Sequence, residues 1–333
     1  MRAVLLCELP EKINTVYTKE TLQEIGTMTA LDKQIYTKAD VLAHKEAFAD
    51  VEAVFSTWGM PSFSEEEISL CFPALKAVFY AAGSVQTFAR PFLNCGVKIY
   101  SAWAANGVPV AEYTTAQIIL ANKGFFASAR LMSAGNAAES RRTFAAYPGN
   151  YGEAVGIIGA GMIGKMVIGM LKNYRLCVKV FDPFLSEEAA AELGVQKCSL
   201  EALFADCLVV SNHLANNEQT KGMLCGRHFA SMRPYATFLN TGRGAQVAEV
   251  ELAAVLKQRP DLTAILDVTD PEPPEEGHPF YRLPNCILTP HIAGSSGEEV
   301  HRMAEYMAEE CRCFCTGGIC RYEVTHKMLE TMA

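Results

Sequence analysis

Three short segments of this 333-residue chain carry side chains able to grip an anion or move a proton, and each follows a run that reads as a strand. Asn240-Thr241-Gly242-Arg243-Gly244 sets an arginine between two glycines. A guanidinium so flanked reaches a ligand with little backbone in its way, and its planar fork suits two-point capture of a carboxylate. Asp267-Val268-Thr269-Asp270-Pro271-Glu272-Pro273-Pro274 gathers carboxylates in a loop stiffened by prolines. Taken alone, such a loop is more often simply solvated. Thr289-Pro290-His291-Ile292-Ala293-Gly294 offers an imidazole, the side chain that ordinarily titrates nearest neutrality. A lone histidine after a strand is more often structural than catalytic.

A fourth segment has a different chemistry. Val155 to Ile158 is an apolar run, followed by Gly159, Gly161 and Gly164 in G-x-G-x-x-G spacing. Met162 and Ile163 open an apolar helix to Leu171, and Cys177 to Phe181 reads as a second buried strand ending in Asp182. The first glycine allows a tight turn, the second lets a pyrophosphate approach the backbone, and the third lets helix and strand pack closely. The helix start turns unpaired N–H groups and a positive dipole end toward the phosphates. A carboxylate at Asp182 can accept hydrogen bonds from the adenosine ribose. It would repel a 2′-phosphate, and Pro183 and Phe184 follow rather than an arginine, so NAD is favoured over NADP.

The elements that position these residues alternate between strand and helix, which implies parallel sheets. In residues 1 to about 105 the expected strands are Arg2 to Cys7, Ala53 to Thr57, Lys76 to Tyr80 and Val97 to Tyr100. Helical stretches lie at Lys38 to Phe48, Ser64 to Cys71 and Phe88 to Leu93. Val108-Pro109 begins a long helix to about Ala129, with Pro109 in its first turn. Residues 132 to 152 read as a polar connecting arm. A second α/β unit follows, with strands at Cys207 to Ser211, Thr237 to Asn240, Thr263 to Val268 and Cys286 to Thr289. Ser296 to about Phe314 closes it as an amphipathic helix with Val300, Met303, Met307 and Cys311 on one face.

Composition narrows the partners. A net charge of −8 gives no reason to expect nucleic acid or an anionic membrane. No run approaches the ~18 apolar residues of a membrane span. The start of the chain reads as a strand rather than a signal peptide. Twelve cysteines without a secretory signal suggest reduced thiols in the cytoplasm. Cys311, Cys313, Cys315 and Cys320 lack paired C-x-x-C spacing and histidine neighbours, so no metal is expected.

Taken together, the motifs from the Gly83 turn to the closing helix make the chain resemble the D-2-hydroxyacid dehydrogenase family, which includes phosphoglycerate dehydrogenase-like members. The carrying residues are Gly159-x-Gly161-x-x-Gly164 with Asp182, His213 in Asn-His-Leu, Asn240-Thr-Gly-Arg243-Gly, Asp267-Val-x-x-x-Glu272-Pro and Thr289-Pro-His291-Ile-Ala-Gly. The resemblance implies two Rossmann-like or flavodoxin-like parallel-sheet domains of the α/β class, one inserted into the other. The substrate domain would be 1–105 completed by 298–333, and the NAD-binding domain 106–297. It implies an oxidoreductase passing a hydride between NAD and a small 2-hydroxy or 2-keto acid. Arg243, Glu272 and His291 would form the catalytic set, with Arg243 binding the substrate carboxylate. Thr241, His213 and Asp267 would join the glycine turn at the cofactor. Gly83, Ser84 and Val85 would offer backbone N–H groups to the substrate. It also implies a homodimer. A corepressor-type NAD-sensing scaffold with the same fold is the alternative. Two departures stand out: Ala215 where the family usually has proline after the His213 motif, and an Ala-Ala-Gly-Ser-Val turn in place of the commoner Gly-x-Asp version.

Overall fold

A computed structural model describes residues 1–330, so the last three positions of the expected 298–333 segment lie outside the described residues. In chain order the strands are β1 (Arg2–Leu6), β2 (Ala30–Tyr36), β3 (Ala53–Ser56), β4 (Ala77–Tyr80), β5 (Lys98–Ser101), β6 (Tyr151–Ile158), β7 (Arg175–Phe181), β8 (Gln196–Lys197), β9 (Val209–Asn212), β10 (Thr237–Asn240), β11 (Thr263–Leu266), β12 (Cys286–Leu288) and β13 (Glu323–Val324). Two compact units result: Met1–Gly107 with the segment from Ser295 onward, and Val108–Gly294.

The first unit holds a six-stranded sheet in the order β13-β5-β4-β3-β1-β2. Strands β3 and β4 are buried at every residue, as expected of strands covered on both faces. Strand β2 escaped sequence reading because it is an edge: Ala30–Tyr36 is largely exposed and carries Asp32, Lys33 and Gln34. The four strands expected from sequence, β1, β3, β4 and β5, pair in parallel, and a short unanticipated strand at the other edge, β13, runs antiparallel to β5. That strand depends on Glu310, which is buried and whose carboxylate accepts the N–H groups of Arg321 at 3.0 Å and Tyr322 at 3.2 Å. The closing helix begins later than Ser296: a 3-10 turn, Gly297–Val300, precedes the α-helix His301–Thr316. Met303, Met307 and Cys311 face the core, as their spacing predicts.

The second unit is a seven-stranded parallel sheet in the order β12-β11-β10-β9-β6-β7-β8. Its register brings the strand ends level. Ile158 pairs with Asn212, Asn212 with Asn240, Asn240 with Leu266 and Leu266 with Leu288. The next residues, Gly159, His213, Thr241, Asp267 and Thr289, therefore leave the sheet along one edge. Strand order reverses between β6 and β9, the position at which open α/β sheets bind ligands.

Two helical expectations are corrected here. The long helix is Trp103–Asn122, not Val108 to Ala129, so Pro109 lies inside it rather than in the first turn. It stops because Gly124 adopts φ +66 and caps a separate helix, Phe125–Ser133. The supposed polar arm 132–152 contains a further helix, Ala137–Ala145. No helix among the described residues is long and apolar enough to cross a membrane.

Candidate active site

Two of the three glycines in the turn leave no room for a side chain. A Cβ at Gly164 would stand 2.1 Å from the Gly159 carbonyl oxygen, so helix Met162–Leu171 can approach β6 only with glycine there. Gly159 has φ +89, and a Cβ on it would meet the His213 carbonyl oxygen at 2.8 Å. The loops after β6 and β9 are thus in backbone contact at the strand-order reversal. Gly161 caps the helix start without a side-chain hydrogen bond, and nothing lies within 4 Å of where its Cβ would be. Asp182 follows β7 directly, with Oδ2 accepting the Ala160 N–H at 2.7 Å and Oδ1 the Phe184 N–H at 2.8 Å. An uncapped helix start beside open space, with a carboxylate tied to the same turn, fits the pyrophosphate and ribose of a dinucleotide. His213 has a different character from a cationic phosphate ligand. Burial pushes its imidazole down to about 4, and its Nε2 pairs with Ser211 Oγ at 2.9 Å, so the ring is neutral.

Arg243 is placed by a buried amide network that sequence reading missed. Asn212, Asn240 and Gln246 are fully buried. Asn212 Nδ2 donates to Asn240 Oδ1 at 3.0 Å and to Gln246 Oε1 at 2.6 Å. Asn240 Nδ2 donates to the Arg243 carbonyl at 3.0 Å, and Gln246 Nε2 to the Leu214 carbonyl at 2.7 Å. The Arg243 turn and the Leu214 loop are therefore braced by the same three side chains. Thr241 is buried too, its Oγ1 3.0 Å from Thr114 Oγ1. A signal was present: Asn212 and Asn240 end runs that otherwise read as core, and buried amides persist only when fully hydrogen-bonded. Burial pushes the Arg243 guanidinium below its usual value while nearby Glu272 pushes it up. It remains a cation.

His291 and Glu272 meet. Nδ1 of His291 lies 2.7 Å from Glu272 Oε1, and both side chains are partly open to solvent. His291 has φ +55, a left-handed conformation rare for non-glycine residues. Asp267 holds it there. Its backbone carbonyl accepts the His291 N–H at 3.0 Å. Its carboxylate accepts the Ile292 N–H at 2.8 Å, the Ala293 N–H at 2.9 Å and the Thr289 hydroxyl at 2.6 Å. Asp267 thus organises the histidine turn, a task its position in the sequence did not suggest. Gly244 joins this group to Arg243: a Cβ on it would stand 2.0 Å from the Thr269 carbonyl carbon, so the arginine turn lies directly on the Glu272 loop.

Beside this loop Glu249 begins the helix Glu249–Gln258 with its side chain 10% exposed. Burial pushes its carboxyl from 4.5 up to about 7, against the pull of the Asp270 N–H. The stability associated with the protonated carboxyl is full below 4.5 and is lost as pH rises toward about 7. Glu249→Gln should therefore stabilise the fold by about 1–3 kcal/mol at pH 8 and by nearly nothing at pH 4. Urea denaturation of both proteins at the two pH values checks this; an equal difference at both contradicts it.

In the first unit, the Gly83-Ser84-Val85 turn follows β4. Ser101 Oγ donates to the Ala82 and Gly83 carbonyls at 2.9 and 2.7 Å. Among the described residues no acceptor pairs with the Gly83, Ser84 or Val85 N–H. Also among the described residues, no group of three or more His, Cys, Asp or Glu side chains could hold a metal ion.

By fold and site, the second unit is an open-sheet dinucleotide-binding domain. Comparison with known proteins narrows that class. Residues 115–293, more than half the chain, match the family described as "D-isomer specific 2-hydroxyacid dehydrogenase, NAD binding domain". The protein belongs to this family, and the matched segment is its NAD-binding domain. The glyoxylate reductase of Korarchaeum cryptofilum is 35% identical over 169 residues, covering 51% of this chain and 51% of that protein. The D-3-phosphoglycerate dehydrogenase of Archaeoglobus fulgidus is 29% identical over 215 residues, covering 65% of this chain and 40% of that protein. The chain spans about half the length of the curated relatives it matches. A phosphoglycerate oxidoreductase from Rhizobium etli shares the fold at a TM-score of 0.81 and 19% identity, over 98% of this chain and 99% of that one. The D-mandelate dehydrogenase of Rhodotorula graminis shares it at 0.80 and 19%, over 97% of each.

Proposed function

We propose that the protein interconverts a 2-hydroxy acid and its 2-keto acid with NAD(H), with His291 exchanging the proton, Glu272 as its partner and Arg243 as the carboxylate anchor. The observation that carries this is the 2.7 Å contact of His291 Nδ1 with Glu272 Oε1, on a loop that Gly244 ties to the arginine turn. When bound, the cofactor supplies or accepts the hydride. Nδ1 is engaged by Glu272, which leaves Nε2 to deliver a proton to the oxygen of the keto group during reduction and to take it back during oxidation. The carboxylate of Glu272 holds Nδ1 at 2.7 Å and so fixes the rotation of the ring. Arg243 pairs its fork with the substrate carboxylate and draws charge from the neighbouring carbonyl. Gly83, Ser84 and Val85 are proposed as substrate contacts on the strength of their N–H groups, which no acceptor among the described residues pairs with. NADH oxidation with a panel of aliphatic, aromatic and phosphorylated 2-keto acids tests the reading; inactivity across the panel overturns it.

Gly159, Gly161, Met162, Ile163 and Gly164 are assigned to the pyrophosphate, Asp182 to the adenosine ribose, and Thr241, His213 and Asp267 to the remaining cofactor surface. Each Asp182 oxygen accepts one backbone N–H and keeps lone pairs for ribose hydroxyls. NAD(H) should accordingly bind at least about tenfold more tightly than NADP(H), and Asp182→Ala should narrow the gap. Fluorescence titration of both cofactors decides; equal affinities for the unaltered protein reject the assignment.

The working form is proposed to be a cytoplasmic homodimer. Twelve free thiols support a reducing compartment. Phe125, Met132, Phe144 and Tyr151 are at least half exposed, more apolar surface than one stretch of a monomer usually shows. Light scattering at micromolar concentration should return twice the chain mass; a monomer mass rejects the dimer.

A further inference from the structure

The loop carrying Glu272 is gripped by a residue that the proposed chemistry leaves unused. Glu249 Oε1 accepts the Asp270 N–H at 2.9 Å, two residues ahead of Glu272. Its Oε2 lies 4.0 Å from His278 Nε2. The His278 ring is itself held by the Phe280 N–H, which Nδ1 accepts at 3.3 Å. The rest of the loop is closed by its own bonds. Thr269 Oγ1 donates to the Pro271 carbonyl at 2.9 Å, and Tyr281 Oη to the Pro274 carbonyl at 3.0 Å.

A carboxyl in this place is costly, because burial works against its charge. Packing alone would be met by an apolar side chain. Capping the helix start does not explain it either, since its recorded backbone partner is Asp270, outside the helix. Between Asp270 and Glu272 stands only Pro271, whose ring restricts φ to a narrow range. Wherever the Asp270 N–H is held, the departure point of the Glu272 side chain follows.

We infer that Glu249 is a positioning residue: by gripping the Asp270 N–H, it sets the Glu272 carboxylate against His291. The inference rests on the reading of Glu272 and His291 as the acid–base pair. The titratable groups facing Glu249 are Asp270, whose charge raises its pKa, His278, and Cys286, whose thiol burial pushes up to about 12 with Glu249 adding to the rise.

The test compares wild type with Glu249→Ala, Glu249→Gln and Glu272→Gln. In the cofactor-free protein, amide hydrogen exchange read by NMR should show the Asp270 N–H exchanging at least about tenfold faster in Glu249→Ala. The amides of Thr237–Asn240 and Thr263–Leu266 should keep their protection, and Glu249→Gln, which still presents an oxygen, should protect Asp270. With NADH and a keto acid that the wild type reduces, Glu249→Ala should lose about 10–100-fold in kcat with KM changed by less than about threefold. Its pH profile should coincide with that of Glu272→Gln, whereas Glu249→Gln should keep the wild-type profile. NADH affinity should be the same in all four proteins. Wild-type exchange at Asp270 in Glu249→Ala overturns the grip. Fast exchange with an unchanged pH profile overturns the positioning role. A wild type inactive on every keto acid overturns the acid–base reading of Glu272, and with it the positioning role, while the exchange experiment still decides whether Glu249 holds the loop. Should Glu249→Ala fail to fold, Glu249→Met keeps the apolar stem without an acceptor and carries the same expectations.

Discussion

His291→Ala is expected to lower keto-acid reduction by about 10²–10⁴-fold, the range for a positioned general acid, while NADH binds as before. The side chain lies on the turn after β12, and the residues assigned to pyrophosphate and ribose lie after β6 and β7, so removing the ring leaves the cofactor contacts in place. Glu272→Gln should behave differently. It keeps the shape and one hydrogen bond at a contact of 2.7 Å but removes the negative charge beside the ring. The ring is then less firmly oriented for proton delivery, so turnover should fall about tenfold, well short of the loss in His291→Ala. Steady-state rates across the neutral range for both variants check this. A Glu272→Gln profile superimposable on the wild type would make Glu272 a bystander on an acidic loop.

Gly244→Ala carries the second large effect, and its cause is steric rather than conformational. The added Cβ would stand 2.0 Å from the Thr269 carbonyl carbon and 2.3 Å from its oxygen, and backbone cannot rotate away as a side-chain tip can. Either the arginine turn or the Glu272 loop must move. Inserting one carbon into a packed site costs about 1–3 kcal/mol. Here the upper end is expected, because both partners are backbone. Displacement of about 1 Å between Arg243 and the acid–base pair should reduce turnover about 100-fold. Urea midpoint and kcat should fall together. Full stability with normal turnover would show that the two segments are not in contact in solution.

Much of this molecule is legible from its residues in order. The period-two and continuous apolar runs mark the buried strands, and glycine spacing marks the turn after β6, because backbone conformation and strand patterning are local properties. For the same reason the edges were missed. Ala30–Tyr36 carries no apolar run to betray it, and the two residues of Glu323–Val324 follow a segment that Glu310, far back in the closing helix, holds through the Arg321 and Tyr322 N–H groups. Pro109 marked a helix start in the sequence, yet the helix had already begun at Trp103, since tertiary packing outweighs a single residue's preference.

The chemistry divides along the same line. Residue types alone marked Arg243 as able to hold an anion and His291 as able to move a proton, and the family resemblance grouped them with Glu272. That they could act together was decided by contacts between segments distant in sequence. Level register at Ile158, Asn212, Asn240, Leu266 and Leu288 delivers their loops to one sheet edge. Asp267 bends His291 into a positive φ, Asn212 and Gln246 brace the arginine turn, and Gly244 lies on Thr269. Apart from the polar ends of the runs closing at Asn212 and Asn240, these pairings have no local signature. Each exists because chain closure brings the groups within hydrogen-bond or van der Waals range and burial then penalises any arrangement that leaves them unpaired.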